Sequence, residues 1–356
     1  MKLERDILVE DKGSIEELIW APDGRQLAVV KFAPRSGVRE GMGEAGSVLV
    51  YEAATWRVDW TAPTGVARPV SRVCWARDAS HLAIASPEAV TIWHVATAQL
   101  VARLAPSEGE IFSVACSPDR HLLAASRMVG EDVSVVIWEV ETAEERYRLS
   151  FKAPSAGVSW MAWSPREASL ATLTLEHTGL GTFKRQVLVW NVPTGTVRRQ
   201  LPLPPGPFEG LGQSHGWSPD GRALAVATGA GLDDLTGAFS EKAQLTIWDL
   251  ENDKVRSTFR VPDRSLIGAA WSPDGRQLAS STSKEILVFD AKTGAVERFP
   301  SLFPEEPPES EKLRVGERVS FMTSLGFTRS LAWSPDGRAL VAGNVGGIRI
   351  WSVDRS

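Results

Sequence analysis

Trp271-Ser-Pro-Asp-Gly-Arg-Gln-Leu-Ala279 recurs along the chain. Trp20-Ala-Pro-Asp-Gly-Arg-Gln-Leu-Ala28, Trp217-Ser-Pro-Asp-Gly-Arg-Ala-Leu-Ala225 and Trp333-Ser-Pro-Asp-Gly-Arg-Ala-Leu-Val341 are close copies. Three weaker copies begin at Trp75, Cys116 and Trp163, so seven copies follow one another at intervals of 41 to 62 residues. A repeat of that period signifies a repeat architecture. Ser-Pro-Asp-Gly is a turn: Pro presets φ, Asp suits the next position, and Gly accepts positive φ. Apolar, alternating runs flank it, as in Ser330-Leu-Ala-Trp333 and Ala339-Leu-Val-Ala342, which is a β-hairpin signature.

A third apolar run closes on an aromatic in every repeat: Tyr51, Trp93, Trp138, Trp190, Trp248, Phe289 and Trp351. A short polar turn and a fourth, more polar strand follow, as in Val197-Arg-Arg-Gln-Leu201. Four strands per unit, a Trp closing the third, and seven units resemble the WD40 family of β-propellers, in its bacterial, stand-alone form. The Trp-Asp dipeptide itself occurs once, at Trp248-Asp249. The resemblance covers essentially the whole chain and implies one all-β domain over residues 1–356, a seven-bladed propeller of four-stranded antiparallel blades. The blades are expected at about Glu16–Ala62, Ser71–Ala105, Ile111–Phe151, Val158–Leu203, Gln213–Val261, Ser265–Leu302 and Arg329–Asp354. Blade seven lacks a fourth strand of its own. Lys2–Val9 resembles the other fourth strands and is expected to close the ring against it, since an open edge exposes unpaired backbone. Blades two, three and four carry Ala79, Arg120 and Glu167 in place of the turn glycine. A positive φ at each would be strained by roughly 1 kcal/mol unless the turn changes type.

The net charge is −5 with no basic stripe, so nucleic acid is not expected as a partner. Two cysteines do not make a disulfide framework. Cys74 and Cys116, on first strands of adjacent blades, are expected buried, reduced and structural, although a disulfide between them is geometrically conceivable. The first residues are charged, unlike a signal peptide, and no apolar run reaches the roughly 18 residues of a membrane span. A soluble, cytoplasmic chain without membrane association is expected.

Eleven of the fourteen Trp occupy the two repeated positions, so they are core. Trp56 and Trp60 fall in an outer strand, where they would cover a blade edge; Trp160 falls early in an innermost strand, near the channel mouth. The five His show no metal-ligand spacing. Asp233-Asp234 is too sparse for calcium, which needs several convergent oxygens. No P-loop, zinc-protease or Gly-x-Ser-x-Gly motif is present. No metal, cofactor or catalytic residue is expected.

These observations favour a non-catalytic protein–protein interaction scaffold or adaptor, as a monomeric propeller or a subunit of a larger complex. The alternative is a propeller enzyme of hydrolase or lyase type, with its site at the top of the channel. In a four-stranded blade the second-to-third loops and the blade-to-blade links share one end. All the long insertions fall there: Lys31 to Gly46, Leu173 to Arg185, Pro202 to Leu211, Thr228 to Ala243 and Phe303 to Phe327. Insertions gathered on one face of a repeat protein mark a binding face. The candidate contacts on this top face are Glu17, Arg72, Phe112, Trp160, His215 and Arg329 around the channel. Phe32, Phe183, Phe208, Phe239 and Phe321 are the candidates in the loops.

Overall fold

The computed structural model describes residues 1–8, 14–32, 46–62, 72–76, 78–119, 121–130, 132–151, 156–179, 182–206, 216–228, 243–261, 266–282, 285–300, 330–344 and 347–353. Where the repeat is intact, the turn is held by its own side chains. The Ser272 hydroxyl donates to Asp274 Oδ1 at 2.6 Å, and that oxygen accepts the Arg276 N–H at 3.1 Å. Ser272 Oγ in turn accepts the Gln277 N–H at 2.9 Å. The turns at Ser218 and Ser334 repeat the set. The fourth residue of the turn lies in the left-handed region, with φ of 72° at Gly24 and 70° at Gly275. Ala79 keeps that conformation at φ 58° and bears its strain. Blade four escapes it: the Ser169 N–H donates to the Glu167 carbonyl at 2.7 Å, a different turn. Arg120 lies outside the described residues.

The strands form seven four-stranded antiparallel sheets in a ring. Blade one is Ser14–Trp20, Gln26–Phe32, Gly46–Glu52 and Arg57–Thr61, and blade two is Arg72–Trp75, His81–Ala85, Val90–His94 and Gln99–Leu104. Blade three is Glu110–Cys116, Leu122–Val129, Asp132–Glu139 and Glu145–Ser150; blade four is Ala156–Trp163, Ser169–Gly179, Thr182–Asn191 and Thr196–Gly206. Blade five is Gly216–Trp217, Ala223–Thr228, Ala243–Asp249 and Lys254–Val261, and blade six is Ile267–Trp271, Gln277–Ser281, Glu285–Asp290 and Val296–Pro300. Blade seven supplies Ser330–Trp333, Ala339–Asn344 and Gly347–Ser352, and Lys2–Leu8 completes it in register from Lys2 opposite Ser352 to Leu8 opposite Gly347. The seven-bladed propeller and its closure by the N-terminal strand are therefore both present.

The core lies in the seams. Each hydrophobic cluster joins two adjacent blades, as Val30 and Val50 of blade one join Val73 and Leu82 of blade two. The first-strand tryptophans add a directional bond. Trp75 Nε1 donates to the Ile19 carbonyl, Trp163 to Ala115, Trp217 to Ala162 and Trp271 to Gly216, all at 3.0 Å; Trp333 donates to Ala270 at 3.1 Å. Each acceptor is the residue just before the equivalent position in the preceding blade. Each such bond is worth on the order of 1 kcal/mol net. Trp20, at the seam between blades seven and one, has a buried Nε1 without a hydrogen-bond partner.

On the rim, the aromatic ending each third strand faces an aliphatic residue across the ladder. The pairs are Tyr51 with Val58, Trp93 with Leu100, Trp190 with Val197, Trp248 with Val255, Phe289 with Val296 and Trp351 with Leu3. Such cross-strand pairs stabilise a sheet, which accounts for the exposed Leu3, Val58, Leu100, Val255 and Val296. Blade three differs, with Trp138 opposite Glu145. Trp60 is buried at the seam, its ring centroid 6.1 Å from that of Trp93, and Trp56 meets Trp20 edge-on at 5.7 Å.

Three expectations are corrected. The expected loop Leu173 to Arg185 is mostly strand: the hairpin stays paired out to Gly179 opposite Thr182, and Thr172 to Leu175 are buried on both faces of the sheet. The bridge from Pro202 to Leu211 begins as strand through Gly206, where prolines are tolerated because the strand is an edge. Cys74 and Cys116 are neither reduced nor fully buried; both are half-buried and joined by a disulfide with a Cα–Cα separation of 5.8 Å.

Candidate functional site

The first strands line the central channel, which encloses about 440 Å³ and draws residues from all seven blades. Near its top several of these strands bulge. Register shifts fall between Ile15 and Glu17 in blade one, Ile111 and Ser113 in blade three, and Val158 and Trp160 in blade four. A bulge leaves one residue unpaired and re-aims its side chain. In blade three that residue is Phe112, which is 41% exposed although it is a large aromatic. In blade one it is Glu16, which is buried.

Glu17 crosses the seam between blades one and two. Its Oε2 accepts the Val73 N–H at 3.0 Å, and its Oε1 lies 3.9 Å from Arg72 Nη1. Burial pushes the Glu17 carboxyl above the usual carboxylate range, and the Arg72 charge and the Val73 N–H only partly oppose this. The pair sits on the channel wall with side chains 14% and 13% exposed. Trp160 also lines the channel, but it is 8% exposed and packs among Leu173, Val187 and Leu203. The bulge beside it turns the ring into the blade, so its surface is spent on local packing.

Phe32 and Phe183 lie at strand ends on the top side, Phe32 in register with Gly46 and Phe183 with His177. Phe208, His215, Phe239, Phe321 and Arg329 lie outside the described residues. The geometry thus brings together Glu17 and Arg72 and presents Phe112. It adds Met128, 38% exposed in the second strand of blade three, where Glu110 is its register partner. Sequence reasoning missed Met128; the only signal for it is an apolar residue resuming after Arg127 interrupts the run that starts at Leu122. Among the described residues no group of three or more His, Cys, Asp or Glu is placed to hold a metal ion.

No family model matches the chain. It is 26% identical over 296 residues to the WD repeat-containing protein slp1 of Schizosaccharomyces pombe, a match covering 81% of this chain and 54% of slp1. It is 22% identical over 237 residues to eukaryotic translation initiation factor 3 subunit I of Candida albicans, covering 64% of each chain. With the small ribosomal subunit protein RACK1y of Oryza sativa subsp. japonica it shares 25% identity over 175 residues, covering 49% of this chain and 43% of that protein. The chain therefore spans about half the length of slp1 and less than two thirds of each of the other two. Similarity to WD-repeat proteins and the seven-bladed ring together support the WD40 resemblance. These relatives are all eukaryotic, and they give no support to the bacterial form expected from the sequence.

Proposed function

We propose that the protein is a non-catalytic scaffold, a single propeller domain that engages a protein partner through its top face. The observation that carries this is the exposed pair Phe112 and Met128 on blade three, held by a bulged but otherwise regularly paired sheet. Exposed aromatic and methionine side chains on a rigid frame are the residues from which interface anchors are built. The similarity to an initiation factor subunit and a ribosomal subunit protein, both components of assemblies by name, points the same way. The proposed setting is the cytoplasm. Among the described residues no helix is long and apolar enough to cross a membrane.

The experiment is affinity capture with quantitative mass spectrometry, comparing wild type with the top-face double variant Phe112→Ala/Met128→Ala and the bottom-face variant His81→Ala/His94→Ala. The top-face variant should lose the partners that the bottom-face variant keeps; the reverse pattern moves the binding face to the other end. Among the described residues, the elevated Glu17 carboxyl in the channel favours the enzyme reading. Turnover of an ester, lactone, glycoside or peptide that disappears in Glu17→Gln would put that reading first.

A further inference from the structure

Blade three has Cys116 where the other blades have the first-strand tryptophan. The seam between blades two and three therefore has no indole to make the bond that joins five of the other seams. The repeat assigns that missing bond an acceptor, the carbonyl of the residue before Trp75, and that residue is Cys74. Cys116 Sγ lies 3.5 Å from this carbonyl oxygen and is bonded to the Cys74 sulfur. The residue equivalent to Cys74 is Ile19, Ala115, Ala162, Gly216, Ala270 and Ala332 in the other blades. Thus the only two cysteines of the chain occupy the two positions that the interblade geometry brings together, and they do so at the one seam where the indole is missing. Their Cα separation of 5.8 Å suits a disulfide. Both residues are half-buried, and both line the central cavity.

We propose that Cys74–Cys116 is a reversible covalent bridge, substituting for the missing indole bond and opened by small-molecule thiols that enter the channel. A cavity of about 440 Å³ has room for such a reagent. In the exchange a thiolate attacks one sulfur, a mixed disulfide forms, and the other cysteine leaves as a thiolate that takes up a proton. A second thiol resolves the mixed disulfide. Two small thiols are oxidised to their disulfide, two electrons pass to the protein, and Cys74 and Cys116 become free thiols. The seam then retains its apolar packing and the backbone bond from the Ile111 N–H to the Pro87 carbonyl at 3.0 Å, without a covalent link. The inference does not depend on the scaffold reading.

The test uses the full chain purified without reductant. Alkylation in denaturant followed by intact-mass measurement should show no added groups. After native incubation with millimolar dithiothreitol it should show two, and the melting temperature should fall by about 5 °C, the scale expected for loss of a cross-link in a chain of this size. Cys74→Ala/Cys116→Trp, which restores the indole, should melt alike with and without dithiothreitol. Should that variant not fold, Cys74→Ser serves, and its melt should likewise ignore the reagent. Two thiols before reduction, reduction only in denaturant, or reduction that leaves the wild-type melt unchanged would each overturn the proposal.

Discussion

Arg349 and Asp6, 343 residues apart in sequence, form a two-pronged ion pair across the strand pairing that closes the ring: Nε to Oδ1 at 2.7 Å and Nη2 to Oδ2 at 2.8 Å. Arg349 Nη1 also donates to the Pro300 carbonyl at 3.3 Å, so one guanidinium touches the N-terminal strand, blade seven and blade six. Such a fork adds geometric specificity as well as energy.

Removing residues 1–8 would expose the edge of Gly347–Ser352 and leave Arg349 without Asp6. We expect a marked loss of melting temperature or aggregation, because the uncovered strand is a template for pairing with another chain. Asp6→Ala alone should cost about 1 kcal/mol, since the pair is partly exposed. A thermal melt that the truncation leaves unchanged would rule out the clasp.

Trp163 and Trp20 are equally buried, each 8% exposed, but only Trp163 makes the interblade indole bond. Replacing either with Phe removes similar volume. The Trp163→Phe change should therefore cost about 1 kcal/mol more than Trp20→Phe, the net value of the hydrogen bond. Denaturant midpoints at unchanged slope measure the difference; equal midpoints would mean that the indole bonds contribute nothing to the seams.

Glu17 gives a pH-dependent test. Its folded carboxyl lies above the ordinary value, with burial as the largest cause. The unfolded chain therefore loses this proton at lower pH than the folded one. Stability from this group is highest when it is protonated in both states, and it falls as pH rises from about 4.3 through the folded pKa. Glu17→Gln should melt higher than wild type at pH 7, and the gap should close as pH approaches 4. A gap of opposite sign at pH 7 would show that the Arg72 and Val73 contacts outweigh desolvation.

At the seam between blades seven and one, a Cβ on Gly343 would stand 2.4 Å from Ile15 Cγ2 and 2.9 Å from Ile15 Cβ. Gly343→Ala should destabilise by about 1–3 kcal/mol through overpacking. Gly343→Ala combined with Ile15→Ala, which removes the Cγ2 methyl from the contact, should cost less than the sum of the two single changes in the same denaturation assay.

The blades were legible because Ser-Pro-Asp-Gly is a local device. Its side chains close the turn on themselves, so Trp271–Ala279 reads the same in isolation as in the ring. The clasp was legible from what blade seven lacked. The long hairpin of blade four was missed because Thr174, Glu176 and His177 look like loop residues until Leu173 and Leu175 are seen as one buried face. The disulfide was conceivable from the sequence but set below the reduced state, for a different reason. Cys74 and Cys116 were each placed at the right repeat position, but the rule joining those positions, an indole reaching the preceding blade's carbonyl, is a relation between blades and leaves no mark within one repeat. For the candidate site, Glu17, Arg72 and Phe112 were named from alignment of the repeats. That alignment could not show that a bulge would turn Phe112 outward and Trp160 inward.

Lys2 stands opposite Ser352 in the closing strand pair, at the end of blade seven that carries the short hairpin turns. Anything fused ahead of the first strand and anything fused after the last would thus leave the ring from neighbouring points on the side away from the bulged channel mouth. A tag, a tether or a second module could be attached at either terminus, or both, without overhanging Phe112 and Met128. Both points of exit lie at the end of the ring opposite Phe112 and Met128.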